Sequence, residues 1–221
     1  MVYALPKASN RKRSKGESAM NDRLKFTAVA VLVGVTLAGV ALAGPPFRAK
    51  PFEFDPDATG IVEAAWVPHE GLPDAGNANH ALLLVKDGPT TTNASSGAVI
   101  QGVAGITLME LGFDVRSDGH CGAGAPRFNV TMSNDGLHFV GCAAGPVAGV
   151  LTDPQGNLWI RKRWDPVALL LTANPPITLL SGTVVRISIL FDEGTDQGQG
   201  FTHLDNIDIN GVLIGKPGNA S

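Results

Sequence analysis

The chain has 221 residues, which is enough for one well-buried core and short for two domains of ordinary size. Its content of 44% hydrophobic and 17% charged residues excludes a disordered protein, and its 27 glycines and 15 prolines are typical of a chain with many turns. Residues 44–221 contain ten Lys or Arg against 18 Asp or Glu, and this net charge of −8 argues against a nucleic-acid partner.

Residues 1–43 are basic, because they contain seven Lys or Arg and two Asp or Glu. Within them, the first predicted element is an apolar segment at residues 26–43. It ends in Ala41-Leu42-Ala43, a small-residue sequence typical of signal-peptide cleavage, and Pro45-Pro46 then prevents a helix from continuing. We therefore expect a cleaved signal and a secreted or extracytoplasmic protein. The alternative is an uncleaved membrane anchor, because about 18 apolar residues are the lower limit of a span. Either Met1 or Met20 can be the true start.

The rest of the chain is predicted to be one all-β domain at residues 61–215, after a Pro-rich, irregular lead-in at 44–60 and before a short tail at 216–221. Its apolar runs are short, often alternate with polar residues and are separated by turn-forming residues. They predict about nine strands, at residues 61–67, 81–86, 98–103, 106–116, 127–133, 137–142, 158–164, 183–191 and 201–210. Residues 168–172 fit either a helical turn or a strand. We expect an antiparallel β-sandwich with jelly-roll topology, preceded by the hydrophobic export helix.

The two cysteines, Cys121 and Cys142, flank the hairpin that is predicted most clearly. Residues 127–133 alternate strictly, and Asp135-Gly136 supplies the positive φ of a tight turn before the partner strand. An isolated cysteine pair in an exported protein is most simply a disulfide. The alternative is two free thiols, or a nucleophilic cysteine beside a neighbouring histidine.

The closing strand carries a resemblance to a known class of domain. Its sequence FTHLDNIDING resembles the last strand of secreted jelly-roll domains of the carbohydrate-binding-module and galactose-binding-like type. The matching residues are Leu204, Asp205, Asn206, Ile207, Ile209 and Gly211. The resemblance implies a jelly roll, and similar domains often carry a structural calcium ion that joins the first and last strands.

An acidic loop is the best candidate for that calcium site, because calcium takes six to eight oxygen ligands. Its residues are Asp192, Glu193 and Asp196, to which Asp208 on the last strand and Glu63 on the first could add. The spacing does not match an EF-hand loop. The alternative is a solvated acidic turn without an ion.

The strand at 158–164 is the candidate for glycan binding. If Leu158 and Ile160 point into the core, alternation places Trp159, Arg161 and Arg163 together on the outer face. An exposed indole beside arginine donors suits a sugar ring, which stacks on the ring and accepts hydrogen bonds at its hydroxyls. The alternative is that Trp159 packs under a loop.

Catalytic chemistry has little support in the sequence. The five histidines show no metal-ligand spacing, and neither HExxH nor GxSxG occurs. Two carboxylates that catalyse glycoside hydrolysis need to be close only in the folded protein, so their spacing in the sequence does not identify them. Glu63, Glu70 and Glu110 are the candidates by residue type. We therefore expect a non-enzymatic exported protein that binds a glycan or another cell-surface component. The alternatives are a structural or adhesive surface protein without a small ligand, and a hydrolase with an unrecognised site.

Overall fold

A computed structural model describes residues 47–74, 78–90 and 93–215, so the export segment lies outside the described residues. Twelve strands, one α-helix and two short 3-10 helices (Cys142–Ala144 and Leu179–Ser181) are present in this part of the chain. The strands are β1 (Arg48–Phe54), β2 (Val62–Val67), β3 (Ala81–Lys86), β4 (Ser95–Gln101), β5 (Leu111–Arg116), β6 (Arg127–Met132), β7 (Gly136–Gly141), β8 (Val147–Thr152), β9 (Leu158–Trp164), β10 (Val184–Phe191), β11 (Phe201–Ile209) and β12 (Val212–Ile214). Within the same residues, no helix has the length and apolar character that a membrane crossing needs.

Two antiparallel sheets form the domain, and the prediction of an all-β sandwich is confirmed. The five-stranded sheet has the order β1-β4-β10-β6-β7. The seven-stranded sheet has the order β2-β3-β11-β5-β9-β8, and β12 pairs with the second half of β11. Each sheet joins strands from distant parts of the chain, because β3 and β4 pair with β11 and β10 respectively.

The core lies between the sheets and follows from the alternation of the strands. In β6, Phe128, Val130 and Met132 are buried, whereas the residues between them are half-buried on the outer face. The inner side of β10 faces the same core through Ile187, Ile189 and Phe191. The largest contacts are aromatic: the Phe113 and Phe128 rings lie 5.3 Å apart and both pack against Trp164. Burial of these apolar side chains is the main favourable contribution to folding.

The predicted irregular lead-in is wrong over part of its length, because residues 48–54 form strand β1. Their alternation is weak and includes Pro51, which has no N–H to donate to a sheet. β1 is an edge strand that pairs only with β4, and an edge strand tolerates proline because one side of its backbone faces solvent. Among the described residues, the first strand of the sandwich therefore begins at Arg48.

Two further differences between the predicted and the observed elements concern strand β8 and the segment at residues 168–172. Strand β8 was not predicted, because as an edge strand it exposes Val147 and Val150, which removes the usual apolar-in pattern. The ambiguous segment at 168–172 belongs to a helix, α1 (Pro166–Thr172). Asp165 caps this helix by accepting the backbone N–H of Ala168 at 2.8 Å.

The predicted disulfide between Cys121 and Cys142 is confirmed. The two Cα atoms lie 5.3 Å apart, which is a normal distance for this bond. Cys121 precedes β6 and Cys142 directly follows β7, so the hairpin brings them to the same height. The bond closes a loop across a sequence separation of 21 residues.

Candidate functional site

A groove of about 550 Å³ crosses the outer face of the five-stranded sheet, the face turned away from the core. This volume is within the range of about 300–1,000 Å³ that small-molecule sites occupy. Residues from β1, β6 and β10 contribute to its walls and floor. Among them are Phe52, Phe54, Arg127, Asn129, Arg186 and Ser188.

Strand alternation and register place the polar side chains at the centre of the groove. The outward residues of β6 are Arg127, Asn129 and Thr131, since the residues between them are in the core. On the neighbouring strand β10, Ser188 is opposite Asn129 and Arg186 is opposite Thr131. These four positions form two adjacent polar rows, with hydroxyl, amide and guanidinium groups within one patch.

Apolar side chains border this polar centre on both edges of the sheet. On β1, the side chain of Phe52 lies over Gly97 of β4, where an added Cβ would be 2.7 Å from the Phe52 Cζ atom. Gly97 therefore makes room for the Phe52 ring above β4. Phe54 is 48% exposed beside it, and Leu137 on β7 is 44% exposed at the opposite edge.

Arg127 is fixed at one end of the groove by a bidentate ion pair with Asp192. Its two terminal nitrogens donate to the two carboxylate oxygens at 2.6 and 2.7 Å. The same guanidinium donates to Asn129 Oδ1 at 3.1 Å and lies 5.5 Å from the centre of the Phe139 ring. Because Asn129 accepts on its oxygen, its amide N–H groups stay available to a ligand in the groove.

The basic side chains of the domain fall into two groups. Six of those described have a carboxylate or carbonyl partner: Lys86, Arg116, Arg127, Arg161, Lys162 and Arg163. Three others, Arg48, Lys50 and Arg186, are exposed and make no ion pair or hydrogen bond with any described residue. All three lie on strands of the five-stranded sheet, at or beside the groove.

The predicted glycan site on β9 does not have the exposed indole that it requires. Trp159 is fully buried, in contact with Leu72 and Ala81, and its Nε1 donates to Asp153 at 3.0 Å. Alternation does place it on the outer face of the seven-stranded sheet, as predicted. The loop between β2 and β3 covers that face, because the backbone N–H of Leu72 donates to Asp205 on β11 at 2.7 Å.

Arg161 and Arg163, the other two residues of the predicted glycan site, form ion pairs within the protein. Arg161 makes two hydrogen bonds to the buried Asp114, at 2.9 and 2.8 Å. Arg163 lies 3.2 Å from Asp114 and 3.2 Å from Asp208. Each guanidinium therefore already pairs with a buried carboxylate, which holds it in place on the outer face of the sheet.

The residues predicted to bind calcium have separate partners. Asp192 pairs with Arg127, Glu193 with His120, and Asp196 accepts from Thr90 at 3.3 Å. Asp208 pairs with Arg163 and accepts the backbone N–H of Gly211 at 2.7 Å, while Glu63 is an exposed residue of β2. Across residues 47–74, 78–90 and 93–215, no three His, Cys, Asp or Glu side chains are arranged to hold a metal ion. The calcium site at these five residues therefore stays a prediction.

A different acidic group lies beneath the loop that covers the seven-stranded sheet. Burial raises the pKa of Asp205 to about 8, although the backbone N–H groups of Asn206 and Leu72 donate to it, and the nearby Asp74 adds repulsion. The same surface holds His203, whose pKa burial and Arg116 lower to about 4. Both groups are therefore held close to their neutral forms near pH 6.

The carboxylates named as hydrolase candidates are tied to separate arginines or exposed. Glu70 pairs with Arg116, and Glu110 lies 4.0 Å from Arg163. Glu63 lies on the edge strand β2. Among the described residues, these three side chains share no ion-pair or hydrogen-bond partner.

Comparisons with known proteins give no further guidance. A scan against protein-family models, a search of curated proteins and a search of solved structures each found no match. A functional assignment for this chain therefore depends on its own residues.

Proposed function

We propose that this chain is an exported, non-enzymatic β-sandwich protein that binds a glycan in the groove of its five-stranded sheet. The observation that carries the proposal is the composition of the groove, which has a polar centre between apolar edges. A sugar ring has the same division, with hydroxyl groups at its rim and C–H groups on its faces. Sites of this kind combine aromatic surface with a few placed polar groups.

The groups available match the two parts of a sugar. Phe52 and Phe54 offer ring surface on β1, where a pyranose face can pack. Asn129 offers amide donors, and the hydroxyl of Ser188 can donate or accept on the floor beside it. The sequence analysis placed the glycan site at Trp159, whereas this proposal places it on the opposite sheet.

The fold proposed for this function is a jelly roll of eight strands. One layer would contain β3, β11, β5 and β9, and the other β4, β10, β6 and β7. The order supports this proposal because early strands lie beside late ones in both layers, as in two wound Greek keys.

Export is proposed from the apolar segment at residues 26–43 and is supported by the disulfide. A Cys121–Cys142 bond persists in an oxidising compartment and points to a location outside the cytoplasm. N-terminal sequencing of extracellular protein, with a mature chain starting near Gly44, is the expected result. An intact segment in the membrane fraction would contradict cleavage.

The proposed function is tested by applying the exported full chain to an array of neutral and acidic glycans. We expect at least one class to bind, and Asn129→Ala to weaken that binding by about tenfold through loss of its hydrogen bonds. The matched control is Thr152→Ala, an exposed polar truncation on β8 of the other sheet, which should bind as the unchanged protein does. If no glycan binds, the proposal is wrong and the structural or adhesive alternative is favoured.

A further inference from the structure

Three basic side chains of the described residues have no ion-pair or hydrogen-bond partner, and all three lie on the outer face of the five-stranded sheet. Among the described residues, every other Lys and Arg has a carboxylate or carbonyl partner, whereas Arg48, Lys50 and Arg186 have none. The domain as a whole is acidic, with 18 Asp or Glu against ten Lys or Arg after residue 43. A concentration of free positive charge on an otherwise negative domain indicates complementarity to an anion.

Strand register fixes how these charges are spaced. On β1, Lys50 is opposite Val99 of β4, and Val99 is opposite Ser188 of β10. Lys50 therefore lies two strands from Ser188 in the same row, a distance of about 10 Å at the usual strand spacing.

Arg186 lies one row further along β10. Arg48 is opposite Gln101, one step beyond the pair formed by Ile100 and Ile187. This places Arg48 in the row of Arg186, again about 10 Å away across the sheet. The free cations of the described residues are therefore spread along and beside the groove over two neighbouring rows.

We propose that the ligand of the groove is an acidic glycan, whose repeated carboxylate or sulfate groups contact Arg186 within the groove and Arg48 and Lys50 along its flank. This inference rests on the proposed function and specifies its ligand class. Arg186 is the central contact because it lines the groove and its guanidinium can donate two parallel hydrogen bonds to one carboxylate or sulfate. Thr131 is opposite Arg186 and Ser188 is two residues away, so neighbouring hydroxyl groups of the sugar have partners as well.

A nucleic acid is the other common polyanion, and the charge distribution disfavours it. A phosphate backbone carries a charge at every nucleotide and is usually held by a larger basic surface. Here Glu53 and Asp192 lie in the same groove as Arg186. Asp192 is neutralised by Arg127, but Glu53 has no cationic partner among the described residues. Its carboxylate would repel a continuous phosphate chain, whereas a neutral unit of a glycan can lie against it.

The test compares acidic and neutral glycans on the exported full chain. A first array contains neutral, carboxylated and sulfated oligosaccharides together with single-stranded DNA. The acidic oligosaccharide that binds most tightly is then compared with its methyl ester or its desulfated form, which keep the sugar and remove the charge. We expect binding to acidic members only, loss of binding after charge removal, and affinity that falls as salt is added.

The variant Arg186→Gln tests whether the charged groups of the glycan bind in the groove. We expect it to lower the affinity for the acidic oligosaccharide by at least about tenfold, the cost of one charged hydrogen bond. The control Gln155→Glu makes the same change in net charge on an exposed turn of the other sheet and should leave the affinity unchanged. An equal loss in both variants would show that only overall charge matters, and would overturn the inference.

The two proposals fail in different ways. If neutral glycans bind and Asn129→Ala weakens them while Arg186→Gln does not, the proposed function stands and the acidic ligand is wrong. If DNA binds as tightly as any acidic glycan, the ligand class is likewise wrong. If no oligosaccharide binds, both proposals are overturned.

Discussion

Trp159 donates its indole N–H to Asp153 at 3.0 Å, from a strand to the turn that leads into it. Asp153 also accepts the backbone N–H groups of Gln155 and Asn157 at 3.0 and 2.9 Å, so one carboxylate organises the turn and holds the indole. These donors lower the pKa of Asp153, although burial opposes the effect. The Trp159 ring is thus a structural element of the seven-stranded sheet.

Replacing this tryptophan tests its structural role. Trp159→Ala should lower the free energy of unfolding by about 3–5 kcal/mol, because it leaves a cavity under the covering loop. Leu158→Ala is the matched control on the same strand, since Leu158 is 51% exposed and its loss should change stability by less than about 0.5 kcal/mol. Denaturant unfolding measures both. A small effect of Trp159→Ala, accompanied by loss of glycan binding, would return the glycan site to β9.

The glycine beneath Phe52 allows a test of the groove wall. Gly97→Ala should displace the Phe52 ring and destabilise the protein by about 1–3 kcal/mol, because the new methyl group also meets the backbone of Ile189. The matched strand glycine is Gly149, where an added Cβ would have its nearest neighbour at 4.0 Å. Gly149→Ala should be neutral or slightly stabilising. Equal melting temperatures for the two variants would show that the Phe52 ring does not need the space over Gly97.

The disulfide is expected to contribute measurably to stability. Its reduction, or the double variant Cys121→Ala with Cys142→Ala, should cost about 3 kcal/mol in the chain-entropy description for a loop of this length. Mass spectrometry of secreted material without a reductant should show no free thiol. Two free thiols in correctly folded material would contradict the bond.

The pH dependence of stability follows from two buried groups with opposite shifts. The pKa of Asp205 is raised to about 8 in the folded state, so the native protein keeps a proton that the unfolded chain loses above pH 4. The pKa of His203 is lowered to about 4, so the unfolded chain binds a proton below pH 6.5 that the native protein does not. Between about pH 4 and 6.5 the two groups have opposite effects on the free energy of unfolding. The contribution of Asp205 falls as the pH rises, whereas that of His203 increases.

Above pH 6.5, Asp205 is the one of these two groups that still changes the free energy of unfolding with pH. Stability should therefore fall by about 2 kcal/mol as the pH rises from 6.5 to 8, and then level off. Asp205→Asn should remove most of this slope, whereas Asp57→Asn, in an exposed turn, should keep it. Denaturant midpoints at several pH values measure the effect. A stability that rises over this interval in the unchanged protein would contradict the buried, protonated state of Asp205.

Period-two alternation and turn residues were sufficient to predict most strands, because they record which residues of a strand face a core. In β6, Phe128, Val130 and Met132 are inward as the pattern indicates, and the turn at Asp135-Gly136 aligned the two cysteines. The edge strands β1 and β8 escaped prediction for the same reason. Pro51 interrupts β1, and β8 exposes Val147 and Val150, so their alternation is weaker than that of β2 and β7, the edge strands that were predicted.

Alternation in the sequence was sufficient to place Trp159 and Asn129 on outer faces of sheets, since it assigns a face to every strand residue. The folded arrangement of distant segments was needed to show that Leu72 covers Trp159, while Asn129 stays open to a groove. It also decided which cations are free, because Arg161 meets Asp114 from 47 residues away. Alternation is a local property of one strand. Coverage by a loop and neutralisation by a distant carboxylate depend on segments that meet only when the chain is folded.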